Sequence, residues 1–240
     1  MITEQQPQTS HRGVQDARIY QSIFEAILEQ RLLPGTKLNE AALAEVFSVS
    51  RTIIRRALAR LAQDGVIELI PNKGATVASP TPEQANDTLV ARQLVEEAVL
   101  KLVLAIPPSP AKSKGIKQLR KLIAQEQRAF ETGDKGNGLR LSGEFHLLLA
   151  EMANNQALAG FLSRLVSQTS LIIATYESPH QHRHCSYEEH MSLVDAIESG
   201  QTAEAIQLMN HHMEHIQLKL QLSRDLSTPD LHRIFASQTS

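Results

Sequence analysis

SRTIIRRALARLAQDGVIELIPNKGATV, residues 50–77, decides how the rest of the chain is read. Ile54, Ala57, Leu58 and Leu61 recur at the spacing of one helix face, and Ser50 stands at the N-cap position ahead of them. Gly65 follows the last turn, where a left-handed residue ends a helix. Two short β-prone runs come next, VIELI (66–70) and ATVAS (75–79). The turn formers Pro71, Asn72, Lys73 and Gly74 lie between them, so the pair reads as a hairpin. From Val46 to Gln63 there are four arginines (Arg51, Arg55, Arg56, Arg60) and no acid.

Upstream, Ile19, Tyr20, Ile23, Phe24, Ile27 and Leu28 form another helical stripe. Pro34 and Gly35 in RLLPGTKL break it, and Glu40–Phe47 reads as a short helix closed by the turn Ser48-Val49. Helix, short helix, turn, helix and hairpin make a winged helix-turn-helix, assigned to residues 16–80. Residues 1–15 are polar, have no apolar stretch of the kind a signal peptide needs, and read as a disordered tail.

Arg51, Thr52 and Arg55 point away from the apolar stripe and gather at the N-terminal end of their helix. That end of a recognition helix enters the major groove. Arginine suits bidentate contact with guanine, and Arg56 and Arg60, further round, are placed for phosphates. The formal net charge of −2 does not by itself suggest a nucleic-acid partner; residues 1–80 carry nine basic and eight acidic side chains. The arginine cluster carries that argument, not the total.

From Thr81 onward the pattern is helical throughout. Thr81 and Pro82 open a helix running to about residue 106, where PPSP (107–110) stops it. Further helices are expected at about 112–132, 137–153, 157–177, 186–199 and 202–222, with Ser186 and Glu189 forming a capping box. The fold class is therefore mainly α: a winged helix-turn-helix followed by an all-α bundle of about six helices over 81–222, with 223–240 as a tail. No uninterrupted apolar run approaches the ~18–20 residues that cross a bilayer. The single cysteine, Cys185, fits a reducing cytoplasm.

These motifs resemble a known family. PGTKLNEAALAEVFSVSRTIIRRALARLAQDGVIELIPNKGATV is similar to the DNA-binding domain of GntR regulators: PG, L-x-E, LA, VSR, a second arginine four residues later, AL-x-x-L, DG and a basic-Gly wing. The resemblance implies DNA contacts from Arg51, Thr52 and Arg55, with Lys73 and Gly74 at the wing tip near the minor groove. Ile53 replaces the usual proline, Arg56 the usual glutamate, and Ala41 an arginine that touches DNA in some members; these departures bear on the operator sequence. The second half is similar to the FCD-type effector domain of the FadR-like subfamily. The matching pieces are Arg92–Glu96, Phe145-His146, Asn155, Glu189-His190 and Met209–His212.

In that family a divalent metal is often held by an Asp and three histidines. Carried onto this chain, the histidines are His146, His190 and His212, and Ser142 stands at the Asp position. Three neutral imidazoles suit Zn²⁺ or Ni²⁺ better than Mn²⁺ once the hard carboxylate is gone. The alternative is that these histidines hydrogen-bond an effector, or one another, in a metal-free pocket. The effector set implied is Arg92, Ser142, His146, His190 and His212. Arg92 is assigned to an anionic group of a small polar, carboxylate-bearing metabolite, the alternative being a structural pair with Glu96. His211 and His215 flank His212, His211 on another face. The run His180, His182, His184 and Cys185 reads as solvated loop.

The expected partners are a double-stranded operator, a small-molecule effector and a second copy of the chain, with no membrane. The expected function is a ligand-responsive repressor reading a pseudo-palindrome as a dimer. A metal sensor in which the ion is the signal is the alternative, and a metal-dependent hydrolase a remoter one. No HExxH, phosphate-binding loop or G-x-S-x-G elbow supports an enzyme.

Overall fold

The computed structural model describes residues 11–70, 74–176 and 186–220. The N-terminal half consists of α1 (His11–Leu28), β1 (Lys37–Leu38), α2 (Glu40–Val46), α3 (Arg51–Gln63), β2 (Ile67–Ile70) and β3 (Gly74–Val77). The strands form one antiparallel sheet in the order β1-β3-β2, with Ile67 opposite Val77 and Ile70 opposite Gly74. Ile19, Ile23 and Ile27 of α1, Ile54 and Leu58 of α3, and Ile67 and Val77 of the sheet close the core of this half. This is the winged helix-turn-helix that the sequence predicts.

Asn39 caps α2, its Oδ1 accepting from the backbone N–H groups of Ala41 and Ala42 at 2.8 and 3.1 Å. Ser50 holds the N-cap position of α3 in an extended conformation, but its hydroxyl makes no capping bond. Gly65 takes the expected left-handed conformation, φ +73°. Two expectations are corrected. Residues 11–15 belong to the first turn of α1 and not to a tail. Polarity alone does not stop a helix, and no proline stands between Pro7 and Pro34. The segment RLLPGTKL also contributes β1, a strand too short to leave a period-2 pattern.

The C-terminal half is helical throughout: α4 (Pro82–Ala105), α5 (Pro110–Glu131), α6 (Lys135–Met152), α7 (Gln156–Tyr176), α8 (Ser186–Glu198) and α9 (Thr202–Lys219). Thr81 and Gln84 form a full capping box on α4. The box expected at Ser186 and Glu189 does not form. The Ser186 hydroxyl donates instead to Glu126 on α5, and Glu189 turns to histidines of α9. One fully buried side chain from each helix shows the bundle's core: Leu100, Leu119, Phe145, Leu162, Val194 and Met209.

By length and composition α7 is apolar enough to cross a membrane, which the run-by-run reading of the sequence did not register. Leu162, Val166, Leu171 and Ile172 on it are packed into the two cores, which accounts for that character without a bilayer. Leu171 reaches the N-terminal core, so α7 serves both halves. Gln30 Nε2 donates to the Ala174 carbonyl at 2.6 Å, and Tyr176 Oη to the Pro80 carbonyl at 2.7 Å.

Candidate DNA-reading helix and buried histidine site

The amphipathic stripe of α3 buries Ile54, Ala57, Leu58 and Leu61, and this turns Arg51, Thr52, Arg55 and Arg56 to solvent. Arg55 Nε lies 2.8 Å from Glu40 Oε2 at the start of α2, with the arginine side chain still 67% exposed. Arg60 is exposed too, and its guanidinium sits 4.7 Å from the ring centroid of Tyr20. Tyr20 in turn donates to Asp64 at 2.7 Å, and burial together with Asp64 pushes the phenol well above its ordinary range. Arg60 is exposed and stacks on Tyr20, so it links α3 to α1 as well as standing on the basic side of the helix. Gly74 is exposed at the start of β3, at the wing. Lys73 lies outside the described residues, as do His180, His182, His184 and Cys185.

In the bundle, His146 (α6), His190 (α8) and His212 (α9) meet. Each is at most 3% exposed, and one ring nitrogen of each lies within 4.8 Å of the others. Each also faces a carboxylate from another helix. His190 Nδ1 is 2.9 Å from Glu126 Oε2, and the other oxygen of Glu126 accepts from Ser186 Oγ at 2.6 Å. His212 Nδ1 is 2.6 Å from Glu189 Oε2. His146 Nδ1 lies 2.8 Å from Glu96 Oε1 but off the line a hydrogen bond requires, so both of its ring nitrogens remain unpartnered. Glu96 Oε1 also accepts from Arg92 Nε at 3.1 Å, and both side chains are buried.

Carboxylates on Nδ1 fix the tautomer at His190 and His212, leaving Nε2 as the free lone pair. The Nε2 atoms of all three histidines are buried and without a hydrogen-bond partner. Three orphaned acceptors in one place carry a desolvation cost that a shared cation would remove. Burial holds His146 well below the ordinary imidazole range. It lowers His212 to about 4, with Glu189 working in the opposite direction. Both are therefore neutral at pH 7, and a metal would displace no proton from them. Tetrahedral coordination at 2.0–2.1 Å sets ligand nitrogens roughly 3.3 Å apart, within reach of this cluster. The donor set thus fits a borderline divalent ion such as Zn²⁺ or Ni²⁺.

Ser142, one turn before His146, is half-buried and lines a cavity of about 50 Å³ with His212, Ser186, Phe130 and Ile216. Its hydroxyl offers no anionic ligand. The structure thus brings Ser142, His146, His190 and His212 together, with Arg92 joined to them through Glu96. Sequence reading missed Glu126 and the role of Glu189. Glu126 had a visible signal, a lone acid continuing the buried stripe Ile116, Leu119 and Ile123 of α5. Glu189 had only the family match of the Glu189-His190 pair, and its partners lie on another helix.

A winged helix-turn-helix joined to an all-helical domain is the build of a bacterial transcription regulator. The chain belongs to that class by family. Residues 15–77 match the model for bacterial regulatory proteins of the GntR family, and residues 87–215 match the FCD domain. It is a member of the GntR family with an FCD domain.

It is 26% identical over 230 residues to the Uxu operon regulator of Haemophilus influenzae, covering 88% of this chain and 84% of that one. It is 24% identical over 202 residues to the HTH-type transcriptional repressor RspR of Escherichia coli, covering 83% and 86%. Among solved structures, a GntR transcriptional regulator of Rhodococcus sp. RHA1 superposes with a TM-score of 0.70 at 21% identity, covering 85% and 96%. McbR/YncC of E. coli gives 0.71 at 18%, covering 85% and 95%. The family and these relatives are transcription regulators, not enzymes.

Proposed function

We propose that this chain is a ligand-responsive repressor that reads a pseudo-palindromic operator in the cytoplasm as a homodimer. The observation that carries the reading is the buried trio of carboxylate-backed histidines in a chain that also exposes Arg51, Thr52 and Arg55. Gly74 and Lys73 extend the DNA contact at the wing. Repressor polarity is supported by the E. coli relative named a repressor. A dimer is supported by an apolar side of α4, where Val90, Leu94 and Leu102 are exposed. A second copy would cover it, and two-fold symmetry would match two half-sites.

Inside the bundle, His146, His190 and His212 would hold Zn²⁺ or Ni²⁺. Bound there, the ion would supply open coordination positions for a carboxylate of the effector. Ser142 would donate to that ligand, and Arg92, held by Glu96, would balance its charge. The cavity of about 50 Å³ takes one or two waters, not the 300 Å³ or more of a typical metabolite site. Either the effector is a very small acid or the helices part to admit it. That size also supports the second reading, in which the ion alone is the signal.

The test is binding of full-length protein to the promoter DNA of its own and neighbouring genes. It is run with metal removed, with Zn²⁺ or Ni²⁺ restored, and with small carboxylic acids added. Release that needs both metal and acid is expected. Release by metal alone would transfer the role of signal to the ion. No specific DNA binding in any state would overturn the regulator reading.

A further inference from the structure

The interior trio is not the only place where metal-ligating side chains converge. On the outer side of α8 and α9, Glu189, His211 and His215 each bring one ligand atom within 4.8 Å of the others. We propose that these three side chains form a second divalent-metal site, on the surface of the bundle, that takes Zn²⁺ or Ni²⁺ and uses none of the interior histidines.

His211 and His215 are four residues apart, so α9 places them on one face, with ring centroids 5.2 Å apart. Two imidazoles one helical turn apart are already held at a separation a single ion can span, and little side-chain freedom is left to lose on binding. Glu189 arrives from α8 with Oε1 against His215 Nδ1. Each oxygen of Glu189 takes one histidine, Oε2 accepting from His212 Nδ1 and Oε1 from His215 Nδ1. Two imidazoles and one carboxylate make a donor set for a borderline ion, with water in the remaining positions.

The setting differs from the interior. His211 is exposed, the His215 side chain is 37% exposed and that of Glu189 15%. Bulk solvent therefore reaches this ion directly, and it exchanges without the bundle opening. Glu189 also links the two places, because its other oxygen holds His212 Nδ1. An ion on Oε1 draws charge away from that contact, so occupancy outside weakens the carboxylate's support of His212 inside.

The experiment is a Zn²⁺ titration of full-length protein against a chromophoric chelator, comparing wild type with His211→Ala and His190→Ala. His211 is exposed and alanine is the best helix former, so that variant keeps its fold; His211→Gln, with circular dichroism on both, guards against an exception. His211→Ala and His211→Gln are each expected to bind one equivalent fewer per chain than wild type. His190→Ala is expected to keep the equivalent that His211→Ala loses. Equal stoichiometry in wild type and both His211 variants overturns the outer site. A failure of the interior site looks different: His190→Ala then matches wild type while the His211 variants still lose one equivalent.

Discussion

Replacing Glu126 by glutamine isolates what the carboxylates do for the interior histidines. Glu126 is fully buried, 2.9 Å from His190 Nδ1 and 2.6 Å from Ser186 Oγ. Burial disfavours its charge, yet His190 and Ser186 more than offset this, and the carboxyl lies below its ordinary range. Glutamine has the same shape and still offers an acceptor to His190 Nδ1 and an N–H to Ser186. What disappears is the negative charge that makes His190 Nε2 a better donor. Loss of such a partner costs about 10–100-fold in metal affinity, or about 1.4–2.7 kcal/mol. His190→Ala is a blunter change, because it removes one of the two partners of a buried carboxylate and leaves Ser186 alone to satisfy it. The assay is competition for Zn²⁺ against a chelator, paired with thermal melts in EDTA. Glu126→Gln should weaken zinc by one to two decades while the metal-free Tm moves by no more than about 2–4 °C. Zinc affinity within twofold of wild type would refute a carboxylate-backed metal site at these histidines.

Arg55→Ala should leave the melt almost unchanged, since the exposed pair with Glu40 contributes at most about 1 kcal/mol. Operator binding should fall by roughly 2–6 kcal/mol, from about 1–3 kcal/mol per half-site; an unchanged gel shift would remove Arg55 from the DNA contact. Gly65→Ala places a Cβ at φ +73°, 2.2 Å from Gln168 Nε2. The left-handed cost of about 1–2 kcal/mol should lower Tm by roughly 2–8 °C, read by calorimetry. Leu94→Glu, at a side chain 66% exposed on α4, should convert the proposed dimer to monomer in sedimentation while the fold is kept. In metal-free protein His212 is held at about 4 by burial, against 6.5 in the unfolded chain. The unfolded chain takes up its proton first, so stability is full above pH 6.5 and declines as pH falls toward 4. His212 alone accounts for about 2 kcal/mol lost between pH 7.5 and 5, and urea midpoints that do not change over this range would contradict its burial as a neutral imidazole.

The winged helix was legible because its signals are local. The stripe of α3 and the turn formers before Gly74 each lie within a few residues, and each appears where the spacing puts it. The three-histidine cluster was legible only through a family pattern, because His146, His190 and His212 come from three helices and their convergence is a property of bundle packing. The partners of those histidines lie further out of reach. Ser186 and Glu189 have the spacing of a capping box, and that local rule lost to tertiary geometry. Glu189 binds two histidines of α9 and Ser186 binds Glu126, bonds made across the bundle that satisfy buried groups such as His212 Nδ1 and the Glu126 carboxylate. The stacking of Arg60 on Tyr20 was out of reach for the same reason, since Tyr20 stands on another helix, α1.

The contact between the two halves has a shape suited to signalling. It is a narrow seam: α1 lies along α6 and α7, Leu171 enters the N-terminal core, and Gln168 lies against Gly65 at the end of α3. A cleft of about 500 Å³ opens on one side, lined by Gly65, Glu68, Gln84 and Gln168. One of about 350 Å³ opens on the other, lined by Tyr20, Arg60, Arg140 and Ser167. On the proposed ligand-responsive reading, the motion expected is a tilt of the DNA-reading half about this seam. The helix best placed to drive that tilt is α6. It carries Ser142 and His146 toward the pocket, while Leu139 packs against the N-terminal core and Arg140 Nε lies 3.9 Å from Glu25 on α1. Close-packed helices pass displacement on instead of absorbing it. On the same reading, a ligand that displaced α6 at His146 would displace α1 as well. In the proposed dimer, small opposed tilts of the two α3 helices would add up across the spacing of the half-sites, so a slight change at the histidines would worsen the fit to DNA.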